Sequence, residues 1–210
     1  MNFILQAGPL LWPIVLCSVI GFAIFLDRAY ALYRFGSGQR KLVPQVVLLV
    51  AQGKVEDASS LCRENRGPIM NVLGTSLRSR DLSSEEREQI LTVSGNRELH
   101  DLERGLRGIA VIARIAPLLG LLGTVVGLVE AFLAVSTMQG PPDPSVLASG
   151  IWQALLTTVA GLVVAIPAIV SHEWLQSRID ALALAMEEAL AEVASFGASS
   201  PASDARRNEA

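Results

Sequence analysis

Three stretches of this chain are nearly free of charge, and a polar, helix-patterned sequence separates the first from the other two. Met1 to Leu26 carries no charged side chain and stops at Asp27-Arg28. Ile109 to Ser171 forms two apolar arms around Gly140-Pro141-Pro142-Asp143-Pro144. Between Arg114 and Asp143 the only charged side chain is Glu130, and Pro144 to Ser171 are 28 consecutive uncharged residues. A helix of about 20 apolar residues crosses the ~30 Å hydrocarbon core of a bilayer, so each stretch is long enough to span it. The pattern predicts an all-α membrane protein with three transmembrane helices, the second and third forming a hairpin.

The intervening segment, Asp27 to Arg107, has 13 Lys or Arg against 11 Asp or Glu and many helix formers, so it reads as a helical domain outside the bilayer. Gly36-Ser37-Gly38 and Gly67-Pro68 punctuate it. Asp81-Leu82-Ser83-Ser84-Glu85-Glu86-Arg87 has the form of a helix start, with Ser83 or Ser84 as cap and acidic residues in the first turn. No proline follows until Pro117, and Leu99, Leu102, Leu106 and Ile109 recur at helical spacing, so one unbroken helix is expected to enter the second span. Beyond the third span, Leu175, Ile179, Leu182, Met186, Leu190 and Val193 continue an apolar stripe that needs a partner, either its own chain or a neighbouring subunit. After Ser195 the Gly, Ala, Ser and Pro content reads as a disordered end.

Composition agrees with the membrane class: 51% of the residues are hydrophobic and only 5% aromatic. The distribution of charge adds orientation. Of 17 Lys and Arg, none lies in Met1 to Leu26 or Val135 to Ser149, and only Arg114 lies between Gly108 and Ser171. By the positive-inside rule the first span ends in the cytoplasm, which makes the N-terminus periplasmic and the C-terminus cytoplasmic. The expected order is an external N-terminus over 1–8, spans over 9–26, 109–135 and 150–171, a cytoplasmic domain over 27–108, a periplasmic loop over 136–149, and a cytoplasmic helix and tail over 172–210. The first span reads as a retained helix, not a cleaved leader, because no basic region precedes it. Cys17 and Cys62 lie in unlike surroundings, far apart, which speaks against a disulfide or metal framework. No basic nucleic-acid footprint, catalytic constellation or cofactor motif stands out.

The informative residues are polar ones at depth. Thr124 lies ten residues past Arg114 and Thr158 fourteen before His172, or about 15 and 21 Å along a helix, which puts both near mid-bilayer. Each sits among small residues: Gly120, Gly123 and Gly127 in one arm, and Ala154, Gly161 and Ala165 in the other. Such faces pack helices closely, and a lone Thr commonly bonds its own helix, so packing alone is the competing explanation for both. Glu130 is the one carboxylate within a span. It is expected near the outer interface, as either a proton carrier or a solvated mouth carboxylate. Gln153 lies at the outer end of the third span. Pro117 and Pro167 are expected kinks that release backbone carbonyls.

GLLGTVVGL at Gly120 to Leu128 and ALLTTVAGLVVAIPA at Ala154 to Ala168 together resemble the paired signature of the MotA/TolQ/ExbB proton-channel family. The similarity is closest to its three-span ExbB and TolQ members; the Asp-Arg after the first span, the helical insert and the short external loop extend it over nearly the whole chain. The resemblance implies a ring of subunits, typically five, around a dimer of a single-span ExbD-like or TolR-like partner whose membrane aspartate carries protons. A TonB-like or TolA-like protein is the implied further partner. Thr124 and Thr158 match the threonines that would line the ring interior. Members often have an acidic residue where this chain has Gln153, and an Asn where it has Glu173. Glu130, in the adjacent helix, is a candidate replacement for the first. Four-span motor stators are a poorer match to three spans. Membrane lipids are a further expected partner. A non-conducting helical membrane scaffold, whose Gly and Thr faces only pack helices, is the alternative function.

Overall fold

The computed structural model describes residues 11–137 and 144–198, and among them every regular element is helical. The helices are α1 (Leu11–Gly38), α2 (Val43–Ala51), α3 (Val55–Glu64), α4 (Pro68–Arg78), α5 (Ser84–Glu103), α6 (Leu106–Ser136) and α7 (Pro144–Ala198), with a 3₁₀ turn at Gln39–Lys41. Three helices are long and apolar enough to cross a membrane, so the chain is an all-α membrane protein with three transmembrane helices. The expected external N-terminus, residues 138–143 of the expected periplasmic loop and the end of the tail fall outside the described residues, and residues 144–149 of that loop form the start of α7. Two compact units emerge: an apolar one from Met1–Asp27 with Gly105–Leu175, and a polar one from Arg28–Arg104 with Gln176–Ala210.

In the apolar unit, α6 and α7 run antiparallel and α1 packs against both. Gly21 brings α1 close to α6: a Cβ there would lie 3.3 Å from Ile112 Cδ1, and one at Gly108 would lie 3.1 Å from Ile24 Cδ1. Phe25 and Trp174 meet edge to face with ring centroids 6.1 Å apart. Trp12, Val19, Phe22, Val129, Phe132 and Val163 remain more than 60% exposed on the chain by itself. Such a surface suits hydrocarbon or other chains, not water. Pro117 and Pro167 both lie inside unbroken helices. Each lacks an N–H, so the carbonyls of Ala113 and Val163 have no helical donor.

The polar unit is a set of short helices with identifiable punctuation. Pro44 and Pro68 occupy the first turns of α2 and α4, where a missing N–H costs nothing. Gly53, at φ 75°, ends α2: its N–H bonds Val50 O at 3.0 Å and the Lys54 N–H bonds Leu49 O at 2.9 Å, the paired bonds of a Schellman end. Ser83 is the cap of α5. Its Oγ accepts from the Glu86 N–H at 3.3 Å while the Glu86 carboxylate accepts from the Ser83 N–H at 3.2 Å and from its hydroxyl at 2.7 Å. These bonds hold the Glu86 carboxyl below the usual carboxylate range. The folded state therefore gains stability that is present at neutral pH and lost as pH falls through that lowered value.

One expectation changes and one open alternative is decided. The helix expected to run unbroken into the second span is interrupted at Arg104–Gly105, where the backbone stays helical but the regular ladder lapses. Glycine, the weakest helix former after proline, sits at the lapse. The stripe beyond the third span finds its partner within its own chain: Leu175, Ile179, Leu182, Met186 and Val193 are all buried, and Leu190 is half-buried. The stripe is core and does not require a second subunit.

Gln39 ties the polar unit together. It is 6% exposed, donates from Nε2 to Arg66 O at 3.3 Å, and accepts the Ile69 N–H at 3.0 Å through Oε1. A Cβ at Gly67 would overlap this amide, so only glycine leaves room for it. Gln39→Ala strands the buried Ile69 donor and should cost about 1–3 kcal/mol, read as a lowered thermal midpoint of the purified chain.

Candidate functional site

Along α6 and α7 the small residues oppose one another in order: Gly120 with Gly161, Gly123 with Thr157, Gly127 with Ala154, and Ala131 with Gly150. A Cβ at Gly161 would lie 2.6 Å from Ala116 O and 3.1 Å from Gly120 Cα; one at Gly120 would lie 3.0 Å from Thr157 O and Thr158 Cα. At Gly123 it would overlap the Thr157 hydroxyl. The backbones therefore touch without intervening side chains, as small-residue faces permit. Ala116, Ala154 and Ala165 are buried in the same seam.

Close approach lets hydroxyls cross between helices. Thr158 Oγ1 donates to Gly120 O at 3.0 Å. Thr157 Oγ1 donates to Ala154 O at 2.7 Å and lies 3.3 Å from Gly120 O. Thr124 Oγ1 donates within its own helix, to Leu121 O at 2.7 Å. Thr157 is 3% exposed, whereas Thr124 and Thr158 are only half-buried.

The periodicity of the helices fixes which of these residues share a side. At about 100° per residue, Thr124 is offset roughly 60° from the seam line of α6, and Thr158 roughly 60° from that of α7, both in the direction of increasing residue number. In an antiparallel pair the two windings run oppositely when viewed along one axis, so equal offsets bring both threonines to one flank. Glu130 and Gln153 are offset the other way, onto the opposite flank. That flank also holds Ile112 and Val164, which face α1: Ile112 lies beside Gly21, and Val164 lines with Cys17 and Phe22 a small cavity of about 110 Å³. The structure thus brings Thr124 and Thr158 together on the side away from α1 and leaves Glu130, which is exposed, and Gln153, which is half-buried, apart from them.

Sequence reasoning by depth passed over Thr157. The available signal was spacing: Gly150, Ala154, Thr157, Gly161 and Ala165 recur every three or four residues, which marks Thr157 as the seam residue and Thr158 as its neighbour on the flank.

Comparison with known proteins bears on the same residues. The model of the MotA/TolQ/ExbB proton channel family matches residues 64–188, more than half of the chain and including the whole seam. The chain belongs to this family. Among its relatives, the biopolymer transport protein exbB1 of Vibrio cholerae is 28% identical over 188 residues, covering 88% of this chain and 82% of its own. The biopolymer transport protein ExbB of Salmonella typhimurium is 28% identical over 191 residues, 86% of this chain and 77% of its own. The Tol-Pal system protein TolQ of Haemophilus influenzae is 36% identical over 92 residues, 44% of this chain and 40% of its own. Family membership gives the seam a context: a helix pair of a membrane proton-channel family, packed so closely that only hydroxyls and carbonyls lie between its backbones.

If the seam holds the hairpin, a single methyl is enough to disturb it. Gly161→Ala drives a Cβ into the Ala116 carbonyl and should destabilise by about 1–3 kcal/mol. Gly95→Ala, in α5 with nothing within 4 Å of the added carbon, should instead raise stability by about 0.5–1 kcal/mol through helix propensity. Thermal unfolding of the two variants in mild detergent should therefore move in opposite directions.

Proposed function

We propose that this chain is a ring-forming subunit of a bacterial inner-membrane proton channel that converts proton motive force into movement of a single-span, ExbD-like or TolR-like partner dimer held inside the ring. The partner would carry the ionising carboxyl, and a TonB-like or TolA-like protein would take up the motion for outer-membrane import or envelope function. The observation that carries this reading is the pairing of Thr124 and Thr158 on the flank away from α1. Repeated around a ring of five, that flank would give an apolar lumen two tiers of hydroxyls. Family membership and the biopolymer-transport names of the relatives support the same direction.

Hydrogen bonding gives the lumen a chemical preference. Both hydroxyl protons are committed to backbone carbonyls, Gly120 O and Leu121 O, so each threonine offers its remaining lone pairs as acceptors. Acceptors suit a protonated carboxyl, which must donate, and not a carboxylate, which needs donors. A partner carboxyl beside these threonines would be held neutral until it reached water. A threonine can also rotate and donate, so the tier does not trap the proton as a fixed charge would. Glu130, on the other flank, would act outside this lumen as a solvated carboxylate, with Gln153 near it.

One observation favours the alternative, a non-conducting scaffold: the same hydroxyls already bridge or brace helices, which packing alone would explain. Replacing them separates the readings. Thr158→Val keeps the shape and removes one interhelical bond of about 0.6 kcal/mol, so assembly with the partner should survive. Proton flux of the reconstituted complex should fall by about tenfold or more, because the change recurs in every subunit. Thr124→Val should be similar or milder; full flux in the double variant would reduce both threonines to packing residues, and absence of flux from the unaltered reconstituted complex would leave the scaffold reading standing.

Orientation needs its own reporter. Cys62 is 3% exposed and burial pushes its thiol up to about 11, so it resists labelling on either side of a membrane. The exposed position Glu56 serves instead. In cells with a permeabilised outer membrane, Asp143→Cys should react with an impermeant maleimide and Glu56→Cys should not; the reverse would invert the topology.

A further inference from the structure

The polar unit contains a basic cavity that channel function does not use. It measures about 380 Å³ and is lined by the guanidinium-bearing side chains of Arg63, Arg66, Arg78 and Arg97, contributed by α3, the loop after it, α4 and α5. One carboxylate, Glu98, also lines it, and that group already accepts from Asn71 Nδ2 at 3.0 Å. None of the four arginines has a carboxylate within salt-bridge distance among the described residues. Arg63 donates to Ser60 Oγ at 3.3 Å and Arg78 to Thr75 Oγ1 at 3.2 Å, both neutral hydroxyls. The side chains of Arg66 and Arg97 make no hydrogen bond to any described residue.

Four positive charges against one, gathered around a single concavity, repel one another unless an anion joins them. Guanidinium forks match phosphate oxygens in pairs, and such charge-assisted bonds are about twice as strong as neutral ones. The Asn71 amide among them keeps a second N–H beyond its bond to Glu98, while the Thr75 and Ser94 hydroxyls donate to Asn71 O and Thr75 Oγ1. The floor is inert, since buried Cys62 stays a neutral thiol. The volume is at the small end of ligand pockets, enough for a diphosphate and a modest organic group. We propose that this cavity binds a phosphate-bearing anion with two or more negative charges, either a soluble phosphorylated compound or the headgroup of an anionic lipid, through Arg63, Arg66, Arg78 and Arg97.

Sodium pyrophosphate, titrated calorimetrically into the full chain in uncharged detergent at about 0.15 M ionic strength, tests this independently of ion flux. Binding is expected with a dissociation constant on the order of micromolar, weakened by about tenfold or more in the Arg66→Gln, Arg97→Gln double variant. Those side chains are exposed and brace nothing, so the variant should keep the thermal midpoint of the parent. Arg97→Lys should bind at an intermediate strength, retaining charge without the fork. In nanodiscs, loss of pyrophosphate binding with cardiolipin, whose headgroup carries two phosphates, but not with phosphatidylcholine assigns the site to a lipid headgroup; equal binding in both assigns it to a soluble anion. Absence of pyrophosphate binding, or equal affinity in the double variant, overturns the proposal. So does an acidic peptide such as hexaglutamate binding where pyrophosphate does not, which would make the cavity a protein-docking site.

Discussion

The α6–α7 hairpin exists in this form because Gly120 and Gly161 have no side chains, and the consequences reach most of the apolar unit. With Ala116 O only 2.6 Å from where a Gly161 Cβ would stand, the two backbones are as near as peptide groups allow. That proximity places the Gly120 carbonyl within reach of Thr158, and close to Thr157, on the facing helix. In hydrocarbon no water can satisfy a polar group, so a hydroxyl crossing to a neighbouring carbonyl is favoured over one left unbonded. Packing and polarity are thus one constraint: larger residues at the glycines would part the helices and leave the hydroxyls with only their own turns to bond.

The constraint also sorts residues by role. Thr157 points into the seam and is consumed by it, whereas Thr158, one position on, bonds across the seam while keeping part of its surface on the flank. Thr124 reaches the same flank from the other helix. Opposite them α1 packs across the hairpin, near the flank that carries Glu130 and Gln153. A membrane helix pair of this kind has two unlike sides, one taken by its own chain and one offering hydroxyl acceptors. This asymmetry is what a subunit facing an ionisable partner would need.

The polar unit rests on other physics. Its helices are delimited by local chemistry, such as the Ser83–Glu86 capping box and the Gly53 turn, and are joined by the buried Gln39 amide, which links the 3₁₀ turn to the start of α4. Arg63, Arg66, Arg78 and Arg97 surround a cavity with no carboxylate within salt-bridge distance among the described residues, an arrangement that stability alone does not explain.

Sequence by itself determined the three spans, the helical character, a helix start at Ser83 or Ser84 and the small-residue faces, because each follows from local composition or from periodicity of three to four residues. It also carried the family, since paired motifs are local strings. Tertiary structure decided what depends on which surfaces meet. Depth along a helix put Thr124 and Thr158 at one level, yet only the antiparallel register of Gly120 with Gly161 placed them on one side and set Glu130 and Gln153 on the other. The stripe from Leu175 to Val193 was visible as a pattern, but a pattern does not name its partner, and burial within the chain did so. The lapse at Arg104–Gly105 had only a single glycine to announce it, and glycine within a helix is tolerated often enough that the break is settled by packing. The arginine cavity was least legible of all: its arginines come from three helices and one loop, and nothing short of folding brings their charges around one space.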